Sequence, residues 1–221
     1  MTVNEKKALL DEFTKFLEEK ECKTEAVKVR RTFYITPEVQ SIMFPAGSYM
    51  VGDVIDFTLS TGEEVSAMAM RQEADGMLFV FVDCLKDEYP MNEDNTNLGG
   101  YETSDLRKTL QEKIFPTFPD YLKTRMKPVY GEDKLRLLTE QEVFGENPYG
   151  EHDDVVRLEP MKQRKNRIAS QGKGTDEWEW YWLQNRVEDT ASGFALVRSA
   201  YGCAGYAAAS SARGVRPAFK I

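Results

Sequence analysis

The chain has 221 residues, 41% of them hydrophobic and 30% charged, enough for one large domain or one domain with a small appendage. A formal net charge of −8 argues against a nucleic-acid partner, since such proteins carry a basic stripe. No apolar run reaches membrane-spanning length, and the opening MTVNEKKALLDEF holds no apolar signal core, so neither membrane insertion nor a signal peptide is expected. A cytoplasmic or virion-associated location follows. Cys22, Cys84 and Cys203 are odd in number and lack metal-ligand or redox spacing. The sole histidine, His152, lies in the acidic loop GEHDD and cannot build a multi-histidine zinc site. No metal and no cofactor are therefore expected.

In chain order, Leu9, Leu10, Phe13, Phe16 and Leu17 recur at helical spacing among charged residues. Residues 1–47 thus read as an amphipathic helix and a lead-in strand, Val27 to Ile35. Core packing is the simpler use of that helix, and oligomerisation through it stays open. Tyr49 to Phe57 reads as a strand interrupted at Gly52-Asp53. Ser60 to Glu63 is a turn, Val65 to Met70 alternates, and Met77 to Val82 is a continuous apolar strand after the Asp75-Gly76 turn. No helix fits between these runs, so they are antiparallel hairpins.

Residues 90–100 form a polar loop. Ser104 is an N-cap for a helix whose apolar face is Leu106, Leu110 and Ile114, ended by Pro116. Tyr121 to Tyr130 holds a short helix or strand, and Leu135 to Leu138 a short strand. Thr139 and Glu142 make a capping box for a brief helix closed by Gly145. Residues 145–154 are a loop and 162–177 a polar stretch. Its Gly172-Lys173-Gly174 lacks the spacing and preceding strand of a phosphate loop.

The C-terminal part changes character. Trp178, Trp180, Tyr181 and Trp182 lead into a stretch that is nearly all Ala, Ser, Gly and Tyr, ending in Gly214-Val215-Arg216-Pro217-Ala218-Phe219. Small residues cannot fill a core, but they shape a surface on which Tyr and Arg make the contacts, as in a paratope. Beyond Asp189 every charged residue is basic: Arg198, Arg213, Arg216 and Lys220. The alternation of the three tryptophans places them on one side of a strand as framework. Arg216 is expected to hold the terminal turn by ion pairing.

The ordered set Gly52-Asp53-Val54-Ile55-Asp56-Phe57, Tyr101-Glu102-Thr103-Ser104-Asp105-Leu106-Arg107, Leu137-Leu138-Thr139, Tyr181-Trp182-Leu183 and Gly214 to Phe219 resembles a known family. It is similar to C-type lectin-like domains related to formylglycine-generating enzymes, and within them to the variable proteins of diversity-generating retroelements. The resemblance covers roughly residues 48–221. It implies an α+β fold: a small, mixed, mostly antiparallel sheet with two main helices and long loops, and with N- and C-terminal strands side by side. It also implies that Asn codons of type AAY are randomised to NNY, which cannot encode Met, Trp, Gln, Lys or Glu. None of those five types occurs between Asp189 and Phe219.

The expected function is non-enzymatic binding of a protein or other macromolecular ligand by a variable region at about 186–213. The candidate contacts are Val187, Asp189, Arg198, Ala200, Tyr201, Cys203, Gly205, Tyr206, Ala208, Ser211 and Arg213, with Tyr201 and Tyr206 as aromatic anchors. Arg198, Ala200, Tyr201, Cys203, Tyr206, Ala208, Ser211 and Arg213 are expected together on one exposed surface. A structural or phage-tail adhesion role is the alternative. An oxidase of the formylglycine-generating type is less favoured, because Cys203 has no second thiol or base near it in sequence, so no catalytic residue is assigned.

Overall fold

A computed structural model describes residues 32–33, 49–198 and 200–221, all within one compact unit, 31–221. The N-terminal helix expected from the sequence lies outside the described residues. The architecture is mixed α+β, with small, mostly antiparallel sheets and few helices.

The main sheet has five strands in the order β1-β2-β3-β4-β10. They are β1 (Thr32–Phe33), β2 (Val54–Thr58), β3 (Glu64–Glu73), β4 (Gly76–Phe81) and β10 (Ala218–Lys220). Only the β1–β2 pair is parallel. The turn that delays β2 to Val54 is set by Gly52, whose φ of 98° is left-handed, as the Gly52-Asp53 pair suggested. The β3–β4 register shifts between Ala69 and Arg71, a bulge that the plain alternation at 65–70 does not reveal. β10 pairs with β4, with Phe219 opposite Phe79. The C-terminal strand therefore does not lie beside the N-terminal strands, as the resemblance implied, because the β3–β4 hairpin separates them.

Both faces of this sheet are covered, which is why its strands read as near-continuous apolar runs. One face carries Phe57, Phe79, Phe81 and Phe219, which close with Phe118 into an aromatic cluster. The Phe79 and Phe219 rings stack at 5.6 Å and the others meet Phe219 edge to face. The other face carries Val54, Met68, Leu78, Val80 and Ala218.

Helix α1 (Asp105–Thr109) is capped by Ser104 Oγ, which accepts from the Arg107 amide, and runs on as a π turn through Ile114. Leu106, Leu110 and Ile114 are its buried face. Helix α2 (Asp120–Lys123) resolves the choice left open at 121–130. Helix α3 (Glu140–Phe144) has the full capping box of Thr139 and Glu142 and ends on left-handed Gly145. Residues 135–138 form no ladder of their own. Arg136 instead bridges to Ala218 and covers the open side of β10. Helix α4 (Arg164–Arg167) lies in the stretch read as polar loop, followed by the two-stranded pair β5 (Ala169–Ser170) and β6 (Trp178–Glu179).

The second main sheet has the order β7-β8-β9. Its strands are β7 (Tyr181–Arg186), β8 (Gly193–Val197) and β9 (Ala204–Ala208). β8 is central and wholly buried. Trp182 is buried and donates its indole N–H to the Tyr89 carbonyl at 2.8 Å. Trp182 and Phe219 thus anchor the core, as expected of large aromatics that bracket a small-residue segment. Among the described residues no helix is long and apolar enough to cross a membrane.

Candidate binding face

The β8–β9 hairpin presents the small-residue segment. Its pairs run Gly193–Ala208, Phe194–Ala207, Ala195–Tyr206, Leu196–Gly205 and Val197–Ala204. The Arg198 amide then donates to the Cys203 carbonyl at 2.8 Å, and the Gly202 amide to the Arg198 carbonyl at 2.9 Å. Gly202 has φ 55°, and a Cβ there would meet Arg167 and Ile168 at 3.2 Å. The turn therefore needs glycine at this point.

Helix α4 holds the turn from below. Arg164 donates from Nε to the Tyr201 carbonyl at 3.0 Å and from Nη2 to the Ala200 carbonyl at 3.2 Å. Arg167 donates from Nε to the Gly202 carbonyl at 2.8 Å. Three consecutive carbonyls are gripped by two guanidiniums, and among the described residues no side chain of the turn takes part. The sequence reading gave 162–177 as a polar stretch and assigned Arg164 and Arg167 no role. Their only signal was two arginines three apart in a polar stretch.

Asp189, Arg198, Ala200, Tyr201, Cys203 and Tyr206 are exposed, Tyr201 at 70% and Tyr206 at 48%. Ala208, Ser211 and Arg213 are half-buried. Val187 is buried and does not join the face. Its amide bonds the Gly193 carbonyl, and Asn97 Nδ2 donates to the carbonyls of Val187, Thr190 and Gly193, folding the 187–193 loop inward. Gly205 is buried as well, and a Cβ on it would come within 2.6 Å of Arg198 Nε. It makes room for the arginine stem and offers no contact of its own.

The eight residues expected on one surface are divided between two faces. Side chains alternate along a strand. Gly205 lies on the Arg198 side of β9, whereas Ala204, Tyr206 and Ala208 point the other way. Arg198 and Arg213 place their guanidiniums 5.8 Å and 5.6 Å from the Trp180 ring centroid. Tyr206 instead meets Tyr149 edge to face at 5.1 Å. One patch is cationic and aromatic; the other is a tyrosine pair set among alanines.

Trp178 and Trp180 are surface residues, exposed at 56% and 36%, and only Trp182 is framework. The alternation argument fails because the strand is broken at Trp180, between β6 and β7. Beside Trp180, burial and a hydrogen bond to Glu88 push the Glu179 carboxyl up to about 7. Arg216 is buried and donates to the carbonyls of Phe81 and Asn166 and to Tyr181 Oη. It holds the terminal turn through neutral oxygens, where ion pairing was expected, because the turn lies against the end of β4.

Cys84 is buried and burial pushes its thiol up; Cys203 is exposed; neither is bridged. A separate open cleft of about 580 Å³ lies over a buried ion pair between Arg136 and Glu142, with both oxygens bonded at 2.6 Å. Arg71, Tyr101, Tyr130 and His152 also line it. Glu142 was legible as a helix cap, but nothing in the sequence marked Arg136 as its partner.

Together these features define a mixed α+β domain with a hairpin displayed at one rim. Residues 75–221 match the model described as a domain of unknown function (DUF6273), and the chain belongs to that family. Neither a curated protein nor a solved structure matches the chain.

Proposed function

We propose that the chain is a non-enzymatic ligand-binding protein of C-type lectin-like fold whose C-terminal hairpin is diversified by a retroelement to recognise varied protein or other macromolecular targets. The observation that carries this reading is the way the turn is held. Arg164 and Arg167 bind main-chain carbonyls of residues 200–202, while the side chains of Ala200, Tyr201 and Cys203 are exposed. A loop fixed through its backbone keeps its shape when its side chains change. Exposed substitutions alter stability by only about half a kcal/mol, whereas core substitutions cost about 2–5 kcal/mol. The absence of Met, Trp, Gln, Lys and Glu between Asp189 and Phe219 agrees with NNY drift.

The test is a displayed library with NNY codons at Arg198, Ala200, Tyr201, Cys203 and Tyr206. It is panned separately against lysozyme, serum albumin and streptavidin. Most members should keep a cooperative unfolding transition, and each target should select different side chains. If most members fail to fold, the hairpin is structural and the reading is wrong.

A further inference from the structure

The edges of the two main sheets are treated unequally. The outer side of β10 is covered by Arg136 at Ala218 and by Lys127 at Lys220. The outer side of β7 is covered by Gly214, which accepts from the Trp182 amide, and by Leu138, which accepts from the Gln184 amide. β9 ends its sheet, with no strand or isolated bridge paired to its outer side among the described residues.

The hydrogen-bond parity shows which groups are free. Arg198–Cys203 and Ser192–Ala209 are bonded pairs, so Gly205 and Ala207 also turn their amides and carbonyls toward β8. Ala204, Tyr206 and Ala208 turn theirs outward. The Ala208 carbonyl accepts from Ser211, which among the described residues leaves three N–H groups and the carbonyls of Ala204 and Tyr206 open. Proteins blunt such edges with charge, proline or a bulge. β9 reads AGYAA in an unbroken register and has none of these.

We propose that the open edge of β9 is a strand-addition site that takes an extended segment of another protein, with bulky apolar side chains opposite Ala204 and Ala208 and a small one opposite Tyr206. This rests on reading the hairpin as a partner surface and names the kind of partner. Main-chain bonds supply affinity in strand addition, and alternate side chains supply selectivity. That division suits a surface of changing side chains, since the open N–H and C=O groups persist whatever residue other than proline occupies 204, 206 or 208. The large-small-large preference follows from the small-large-small profile of Ala204, Tyr206 and Ala208 on one face. A second copy paired about a twofold axis would set Tyr206 against Tyr206 and Ala204 against Ala208. Like would meet like, so the foreign segment is the better complement.

The experiment is amide hydrogen exchange by NMR on the full chain, with and without an end-blocked nonapeptide, Lys-Thr-Ile-Thr-Ala-Thr-Ile-Thr-Lys. Exchange at Ala204, Tyr206 and Ala208 should slow at least about tenfold on saturation, while Gly205 and Ala207, already bonded to β8, stay unchanged. Tyr206→Pro removes an outward N–H and no β8 bond, so it should abolish the response with Gly205 and Ala207 still protected. Tyr206→Ala keeps the N–H and should keep protection at Ala204 and Ala208. A peptide with Ala and Ile exchanged should bind about tenfold more weakly; equal binding overturns the stated side-chain chemistry. No slowing at the three amides overturns the site. Concentration-dependent slowing without peptide means that a second copy holds the edge, and overturns the stated occupant. If the NNY library yields binders while the edge amides never respond, the edge proposal fails and the binding reading stands. If the edge responds but the library does not fold, the reverse holds.

Discussion

The five-stranded sheet, antiparallel but for its β1–β2 pair, and the antiparallel β8–β9 hairpin both rest on buried strands, yet they are fixed by different parts of the chain. The sheet is locked by side chains: Phe219 lies among Phe57, Phe79, Phe81 and Phe118 with no exposure. The hairpin turn is locked by its own carbonyls on Arg164 and Arg167. Where side chains carry the fold, the sequence is constrained. Where the backbone carries it, the side chains are available for contacts.

The largest test of this contrast is Phe219→Ala. It removes the ring on which four others converge, and it should cost about 3–5 kcal/mol in urea unfolding. A loss below about 1 kcal/mol would mean that the cluster is not the keystone of the sheet.

Next comes pH. Glu140 is fully buried, and its carboxyl is pushed up to about 7 by desolvation, against acceptance from the Gly150 and Tyr149 amides, which lowers it. Tyr149 is the ring that meets Tyr206, so this carboxyl stands beneath the rim. With the folded value above the unfolded one, the folded state holds the proton longer. Stability from this group is therefore full below about 4.5 and falls as pH rises to about 7, by at most about 3 kcal/mol at 1.36 kcal/mol per unit. Glu140→Gln should flatten that fall in denaturation measured at successive pH values. An unchanged slope would assign it to other groups.

Much of the frame was legible in the sequence, because it obeys local rules. The Ser104 cap, the Thr139/Glu142 box and the strands at 54–58, 64–73 and 76–81 each follow from residues adjacent in sequence or a turn apart. The candidate face was only half legible. Composition located the exposed hairpin, but it included buried Val187 and Gly205 and merged two opposite faces. Those errors share a cause. Composition carries no parity, and the side to which Tyr206 or Arg198 points depends on a register fixed by β8. Arg164 and Arg167 were missed for a related reason, since their acceptors are carbonyls some 35 residues away, which no local pattern marks.

A smaller effect is expected from Arg167→Met. It strips the Gly202 carbonyl of its donor, while the Met161 carbonyl keeps the one from Arg157, at about 1–3 kcal/mol if Gly202 finds no water. Hydrogen exchange at the Gly202 amide should rise while amides of β4 stay slow. Uniform loosening of both would deny the hairpin its separate support.

The smallest effect is the most informative. Arg198, Ala200, Tyr201, Cys203 and Tyr206 are changed together to Asn, the residue of the unmutated AAY codon. All five are exposed, and the carbonyls that hold the turn remain in place. Each change should fall within about half a kcal/mol, with mixed sign, so Tm should barely move. The removal of two aromatic rings and a guanidinium should nonetheless abolish binding by any clone selected from the library on the parent side chains. Stability kept and recognition lost is the signature of a rim whose backbone alone is structural. If Tm instead falls as far as it does for Phe219→Ala, the hairpin side chains carry the fold as the sheet's do, and the contrast between the two regions collapses.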